Sequence, residues 1–185
     1  MLSDVLTDGE ERMQKSVEFF RRDLATVRAG RANPAILDKV VVDYYGTPTP
    51  LNQMGTIAAP EPRLLTITPW DKTALGAIEK AIQKSDLGLN PNNDGNLIRL
   101  AIPQLTEERR GQLVKSTKKS GEDCKVSVRN IRRDVVDKIK AEEKAKTCSE
   151  DEAKKANDDL QKLTDKYIKE IDQILEAKEK EIMEV

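Results

Sequence analysis

The stretch that decides the fold spans residues 106–146 and reads TEERRGQLVKSTKKSGEDCKVSVRNIRRDVVDKIKAEEKAK. No proline interrupts it, and its apolar side chains recur every three or four residues. Thr106, followed by two acids, is typical of a helix N-terminus. We therefore predict one long helix that begins at Thr106 and presents a single apolar face. That face consists of Leu113, Cys124, Val128, Ile131, Val135 and Ile139, with Thr117 and Ser120 where it is weakest.

Residues 1–29 repeat this spacing and predict a first helix. Ser3 and Asp4 offer an N-cap, and Gly30, shortly before Asn33 and Pro34, is the expected stop. The apolar face consists of Leu6, Met13, Val17, Phe20, Leu24 and Val27.

A further helix is predicted after residues 147–149, where Thr-Cys-Ser precedes three acids and restarts the chain. Its face consists of Ala156, Leu160, Leu163, Tyr167, Ile171 and Ile174. A tight turn near Thr147 makes the last two helices antiparallel. Since no helix buries its apolar face alone, residues 1–29 and 106–185 are predicted to form a long antiparallel three-helix bundle domain.

The middle of the chain, residues 30–105, holds all eight prolines and changes period. Residues 39–45 (KVVVDYY) and 63–68 are typical of strands, residues 46–48 of a turn, and residues 96–102 of a last strand. Between them, Asp71 caps a predicted helix that runs to about Ser85, with Leu75, Ile78 and Ile82 on one face. We predict an inserted small β/α/β domain, which gives an α+β fold class, and we expect Trp70 to pack in the core or at the hinge.

Two short crossings connect this inserted domain to the bundle. We therefore expect a hinge at Gly30, Arg31, Pro103 and Gln104, and a bent, L-shaped molecule.

Composition excludes many classes of enzyme. Histidine is absent, so His-dependent triads and the commonest metal sites are excluded. The two cysteines suit neither a zinc knuckle nor a disulfide scaffold, and no phosphate-binding glycine loop is present. We expect no enzymatic activity, no cofactor and no metal. No stretch approaches the ~20 apolar residues of a membrane span, and the N-terminus is acidic, so we expect a cytoplasmic protein that binds no membrane.

Charge is unevenly distributed although Lys and Arg total 32 and Asp and Glu total 33. Residues 109–133 carry nine basic side chains against two acids, whereas residues 147–185 carry seven against twelve. One basic stripe on the second bundle helix consists of Lys118, Lys125, Arg129 and Arg132, with Arg133 beside it. Two interpretations remain open: the stripe binds nucleic-acid phosphates, or it forms salt bridges with the acidic helix.

Five motifs spread along the chain together resemble those of bacterial ribosome recycling factors. They are VRAGRA (27–32), YYGTPTPL (44–51), SDLGLNP (85–91), LTEERR (105–110) and VRNIRRD (128–134). The resemblance covers essentially the whole length. It implies a hinged bundle that binds the post-termination 70S ribosome against large-subunit ribosomal RNA. It also implies that elongation factor G and GTP act with the protein to split the ribosome, while the protein itself consumes no nucleotide. A monomer is expected.

The resemblance also implies roles for particular arginines. Within the VRNIRRD motif, Arg129, Arg132 and Arg133 are expected to contact RNA. Lys125 of the stripe, Arg110 and Arg28 are further RNA-binding candidates. For the arginines near the hinge, RNA contact and bracing between domains both remain open. These are Arg28, Arg31, Arg109 and Arg110.

Two residues depart from the pattern of the family. Val135 stands where a small residue is expected, and Gly121 interrupts a helix at a cost of about 1 kcal/mol relative to alanine. Neither belongs to the basic stripe, so both concern the stability of the helix. The alternative function is that of a non-catalytic helical adaptor or holdase, in which the bundle binds protein partners and its arginines are paired internally.

Overall fold

The structure is a computed structural model that describes residues 1–184. These residues form two compact units. The first combines Met1–Leu24 with Val114–Lys180, and the second combines Ala25–Leu113 with residues 181–184. Long helices and a small β-rich unit confirm the predicted α+β class.

The described chain contains four α-helices. They are α1 (Leu2–Ala25), α2 (Leu75–Lys84), α3 (Glu107–Lys144) and α4 (Glu150–Met183). Thr106 Oγ1 accepts a hydrogen bond from the Arg109 amide at 3.1 Å, so Thr106 caps α3 as predicted. Ser149 Oγ accepts a hydrogen bond from the Glu152 amide at 3.1 Å and donates one to Glu152 Oε1 at 3.2 Å, so Ser149 caps the start of α4.

The first unit is a helical bundle in which α3 runs antiparallel to α1. Three contacts show this direction: Asp8 with Lys138, Arg12 with Asp134, and Ser16 with Ser127. The residue number rises along α1 as it falls along α3. The predicted apolar faces meet in the bundle core, where Leu163 and Ile174 are half-buried and Thr117 is buried. The most buried members are Met13, Val17, Phe20, Leu24, Cys124, Val128, Ile131, Val135, Ile139, Ala156, Leu160, Tyr167 and Ile171.

The predicted ends of the first helix were wrong. Helix α1 begins at Leu2, so Ser3 and Asp4 lie in its first turn, and it ends at Ala25 rather than at Gly30. β-Branched Thr26 and Val27 have a lower helix propensity. Beyond them, the Ala32 amide donates to the Pro62 carbonyl at 2.6 Å, a bond that an α-helical backbone at this position would not make.

The second unit contains two antiparallel sheets. Strands β1 (Val41–Tyr44) and β2 (Thr47–Pro50) form a hairpin. Strands β3 (Gly55–Glu61), β4 (Leu64–Pro69), β5 (Pro91–Asn93) and β6 (Ile98–Ala101) form a four-stranded sheet in the order β3-β4-β6-β5. Leu75, Ile78 and Ile82 of α2 are buried in the core of this unit, as predicted.

Several predicted boundaries in this unit need correction. Residues 47 and 48, predicted as a turn, begin strand β2, and the turn itself is formed by Tyr45 and Gly46 at φ 49° and 81°. Both positive φ values suit a two-residue hairpin turn. Strands β3 and β5 were not predicted. Trp70 is 71% exposed, so the prediction that it packs in the core or at the hinge was wrong.

Candidate nucleic-acid interface

Three arginines project from the outer side of α3. They are Arg129 and Arg133, which are exposed, and Arg132, which is half-buried. The opposite side of the same turns is buried in the bundle core and consists of Val128, Ile131 and Val135. Among residues 1–184, no carboxylate lies within ion-pair distance of these three guanidinium groups. They are therefore charged groups that the bundle itself leaves uncompensated.

Other arginines of the first unit are paired. Arg12 Nη2 lies 3.0 Å from Asp134 Oδ2, and Arg21 Nη2 lies 3.0 Å from Glu170 Oε1. Asp134 follows Arg133 directly in sequence, yet it binds Arg12 across the helix interface. The internal-pairing interpretation thus describes Arg12 and Arg21, and it does not describe the VRNIRRD arginines.

Lys125 differs from the rest of the basic stripe. Its side chain is 14% exposed, and its Nζ contacts Asp172 of α4 and Glu122 of α3. The hydrogen bond to Asp172 is the main reason that the pKa of Lys125 is raised. Lys118 is exposed. The predicted stripe is therefore divided between an internally compensated lysine and uncompensated arginines.

A second group of arginines lies in the second unit. Arg28 is half-buried, and burial, followed by the positive charge of Arg109, lowers the pKa of its guanidinium group. The Arg109 guanidinium donates to Gln112 Oε1 at 3.1 Å. Arg110 Nε is buried and has no hydrogen-bond partner among the described residues. Arg31 is engaged differently, since its Nε lies 3.7 Å from Glu184 Oε2.

The four predicted hinge residues lie outside regular secondary structure. Gly30 and Arg31 fall between α1 and the 3-10 helix Pro34–Leu37, and Pro103 and Gln104 fall between β6 and α3. Both connecting segments bind to the turn between β3 and β4 at residues 62 and 63. The Ala32 amide donates to the Pro62 carbonyl, and the Ile102 amide donates to the Arg63 carbonyl at 2.8 Å. The sequence alone did not indicate this shared anchor.

The sequence did not indicate the pair of aromatic rings formed by Tyr44 and Tyr45 at the hairpin tip. Tyr45 is 80% exposed, its ring lies 4.7 Å from that of Tyr44, and its hydroxyl lies 3.1 Å from Thr73 Oγ1. The Tyr44 hydroxyl donates to Asp71 Oδ2 at 2.6 Å. Hydrogen bonds from Thr73 and then Tyr44 lower the pKa of Asp71. The Tyr-Gly pair of a tight hairpin was the available signal, since a residue at such a tip faces solvent.

Three other features of the described residues concern metal binding, cysteine bonding and membrane crossing. No group of three or more His, Cys, Asp or Glu side chains among them is placed to hold a metal ion. Cys124 and Cys148 are free thiols, the first buried and the second half-buried. None of the described helices combines the length and apolar character that crossing a membrane requires.

Comparisons with known proteins all point to one family. The family model described as "Ribosome recycling factor" matches residues 20–183. Ribosome-recycling factors from Syntrophomonas wolfei and Carboxydothermus hydrogenoformans are 63% and 59% identical, and each comparison covers 100% of both chains. The protein of that name from Bacillus subtilis is 58% identical over the same extent.

Two solved structures share the fold. A solution structure of a ribosome recycling factor superposes with a TM-score of 0.81 at 47% identity, covering 100% of this chain and 98% of the other. The second is a model of the factor from T. thermophilus, described with E. coli elongation factor G as bound to the E. coli post-termination complex. It gives a TM-score of 0.70 at 48% identity, with both chains covered in full.

Proposed function

The chain belongs to the ribosome recycling factor family, and from that membership we propose that it splits post-termination ribosomes into subunits together with elongation factor G and GTP. The chain itself hydrolyses no nucleotide in this proposal. Its role is to bind the ribosome and to couple GTP hydrolysis by elongation factor G to the separation of the subunits.

The observation that carries the proposal is the set of uncompensated arginines on α3. Arg129, Arg132 and Arg133 lack ionic partners among the described residues, while Arg12 and Arg21 of the same unit are paired. A planar guanidinium group binds two phosphate oxygens, and each such contact releases counterions from the nucleic acid. These three side chains are therefore proposed to contact large-subunit ribosomal RNA.

The remaining RNA-binding candidates have different surroundings. Arg110 and Arg28 lie in the second unit and lack a carboxylate partner among the described residues, which supports the same role. Lys125 is retained as a weaker contact, because Asp172 and Glu122 already compensate its charge.

Division of labour between the domains is the second part of the proposal. The proposed domains differ from the two compact units, because residues 1–29 and 106–185, which include Arg28, Arg109 and Arg110 of the second unit, form the domain that binds RNA. Residues 30–105 form the domain that elongation factor G displaces. Gly30, Arg31, Pro103 and Gln104 are proposed as the hinge, since they lie outside helices and strands. The protein acts as a monomer in the cytoplasm, where ribosomes are recycled.

Light scattering of purified post-termination ribosomes tests this function directly. Ribosomes and elongation factor G from the same species are mixed with this protein and GTP, and each component is omitted in turn. Subunit separation only in the complete mixture supports the proposal. Absence of separation in the complete mixture contradicts it and favours an adaptor that binds protein partners.

The hinge requires a test of its own. A disulfide joining the two domains is introduced into a variant that carries serine at Cys124 and Cys148. The oxidised form should bind ribosomes and fail to split them, and the reduced form of the same variant serves as the control. Splitting by the oxidised form would remove hinge motion from the mechanism.

A further inference from the structure

A cavity of about 480 Å³ lies within the second unit. Its wall combines the segment after α1, the segment before β1, the end of α2 and the first turns of α3. Four of the lining side chains are basic and one is acidic. The basic residues are Arg28, Lys39, Lys84 and Arg109, and the acid is Asp86. Apolar side chains, among them Ile36 and Leu87, complete the wall.

The two guanidinium groups of this cavity are not arranged as an internal brace. Arg28 is half-buried and lies near the like charge of Arg109, and no carboxylate of the described residues pairs with either. The hydrogen bond from Arg109 goes to Gln112, which is neutral. Bringing like charges together where water is partly excluded costs free energy, and an anion bound between them offsets that cost.

We propose that this cavity binds a phosphate-bearing anion, with the guanidinium groups of Arg28 and Arg109 as its principal contacts and Lys39 and Lys84 as flanking charges. Paired N–H donors of arginine match the oxygens of a phosphate group. The volume falls within the range of small-molecule sites, so it accommodates more than a single phosphate. Two sources supply this chemistry: the backbone of ribosomal RNA and a free polyphosphate. The first source deepens the proposed function and rests on it.

Pyrophosphate is the probe that tests the site on the whole protein. Amide signals of the 15N-labelled chain are followed by NMR while pyrophosphate is added at constant ionic strength. Saturable shifts should concentrate at residues 26–28, 84–87 and 109–113. Arg28→Gln and Arg109→Gln should each weaken binding at least about tenfold, because each removes a charge-assisted contact. Arg28→Lys keeps the positive charge but loses the two parallel N–H donors of the guanidinium group. Its pyrophosphate affinity should therefore lie between that of Arg28→Gln and that of the unaltered protein.

Arg63→Gln is the matched control. It removes one exposed positive charge from the same unit, outside the cavity. Unchanged pyrophosphate affinity in this variant is the expected result. The proposal is overturned if no saturable shifts occur, or if Arg63→Gln weakens binding as much as Arg28→Gln does.

A second arm distinguishes the two sources of phosphate. The salt dependence of ribosome binding is measured for the Arg28→Gln/Arg109→Gln double variant. A slope lower by about two identifies RNA phosphates as the occupant, since each lost contact lowers it by about one. An unchanged slope together with lost pyrophosphate binding identifies a free polyphosphate. If pyrophosphate fails to bind while the unaltered protein still splits ribosomes, this inference fails and the proposed function stands.

Discussion

Val135 of α3 occupies the space that the missing side chain of Gly9 leaves on α1. A Cβ atom on Gly9 would lie 2.6 Å from Val135 Cγ2. Gly121 of α3 and Leu175 of α4 are matched in the same way, because a Cβ atom on Gly121 would lie 2.5 Å from Leu175 Cδ1. The two departures from the pattern of the family are thus accommodated: Val135 is larger than expected and meets a glycine, and Gly121 lets a leucine approach.

Gly9→Ala should destabilise the protein by about 1 kcal/mol in urea unfolding followed by helical circular dichroism. Alanine gains about 1 kcal/mol of helix propensity, but overpacking against Val135 costs about 1–3 kcal/mol. Gly111→Ala is the control, because nothing lies within 4 Å of a Cβ atom there, and it should be stabilising. Val135→Ala should remove the penalty in the double variant. Equal stabilisation by Gly9→Ala and Gly111→Ala would show that the two helices are not in close contact at this point.

Acid should weaken the second unit through Asp94. Amides of Leu97 and Asn96, and then the Arg99 side chain, lower the pKa of Asp94 from 3.8 to about 2. The folded-state pKa is depressed, so the stabilisation is complete above pH 3.8 and is lost as the pH falls toward 2. Asp94→Asn should therefore make the stability of the second unit depend less on pH in that range. The folded population is measured from the NMR signals of β4 and β6. Asp43→Asn, at an exposed position on β1, should leave the loss of stability with falling pH as steep as in the unaltered protein.

The two thiols should react very differently. Burial raises the pKa of Cys124 to about 11, and burial followed by the charges of Glu152, Glu143 and Glu142 raises the pKa of Cys148. A disulfide reagent should label Cys148 slowly in the folded protein, with a rate still rising above pH 9.0, the ordinary thiol pKa. The folded Cys148→Ser variant should stay unlabelled until denaturant is added. Rapid labelling of that folded variant would contradict the burial of Cys124.

Trp70 is the single tryptophan, so fluorescence excited selectively at the indole ring reports on it alone. With 71% of its surface exposed, it should emit near the wavelength of indole in water and be quenched freely by acrylamide. Unfolding in urea should shift the emission very little. A large red shift on unfolding would instead place the ring in an apolar environment.

Prediction from the sequence succeeded where periodicity is long and uninterrupted. The apolar faces of α1, α3 and α4 extend over many turns, and the caps at Thr106 and Ser149 follow from local hydrogen bonding. Strand β2 was missed because its sequence, Thr-Pro-Thr-Pro, is typical of a turn, although prolines are tolerated in an edge strand. Strand β5 has three residues and is too short to show a period.

The proposed binding residues also differ in whether the sequence could bring them together. Arg129, Arg132 and Arg133 share one helix, so their spacing brought them together in the sequence. Lys39 and Lys84 were not candidates, because tertiary folding alone places them beside Arg28 and Arg109. The pairing of Lys125 with Asp172 likewise depends on how α3 and α4 pack.

Ribosome binding by Arg132→Ala, measured at several salt concentrations, tests the central claim most directly. Loss of one phosphate contact should weaken binding and lower the slope of log affinity against log salt by about one. Arg12→Ala removes a guanidinium group that pairs with Asp134, so it should leave the slope as in the unaltered protein. An unchanged slope for Arg132→Ala, or the same decrease for Arg12→Ala, would contradict the claim that the uncompensated arginines of α3 anchor the protein on ribosomal RNA.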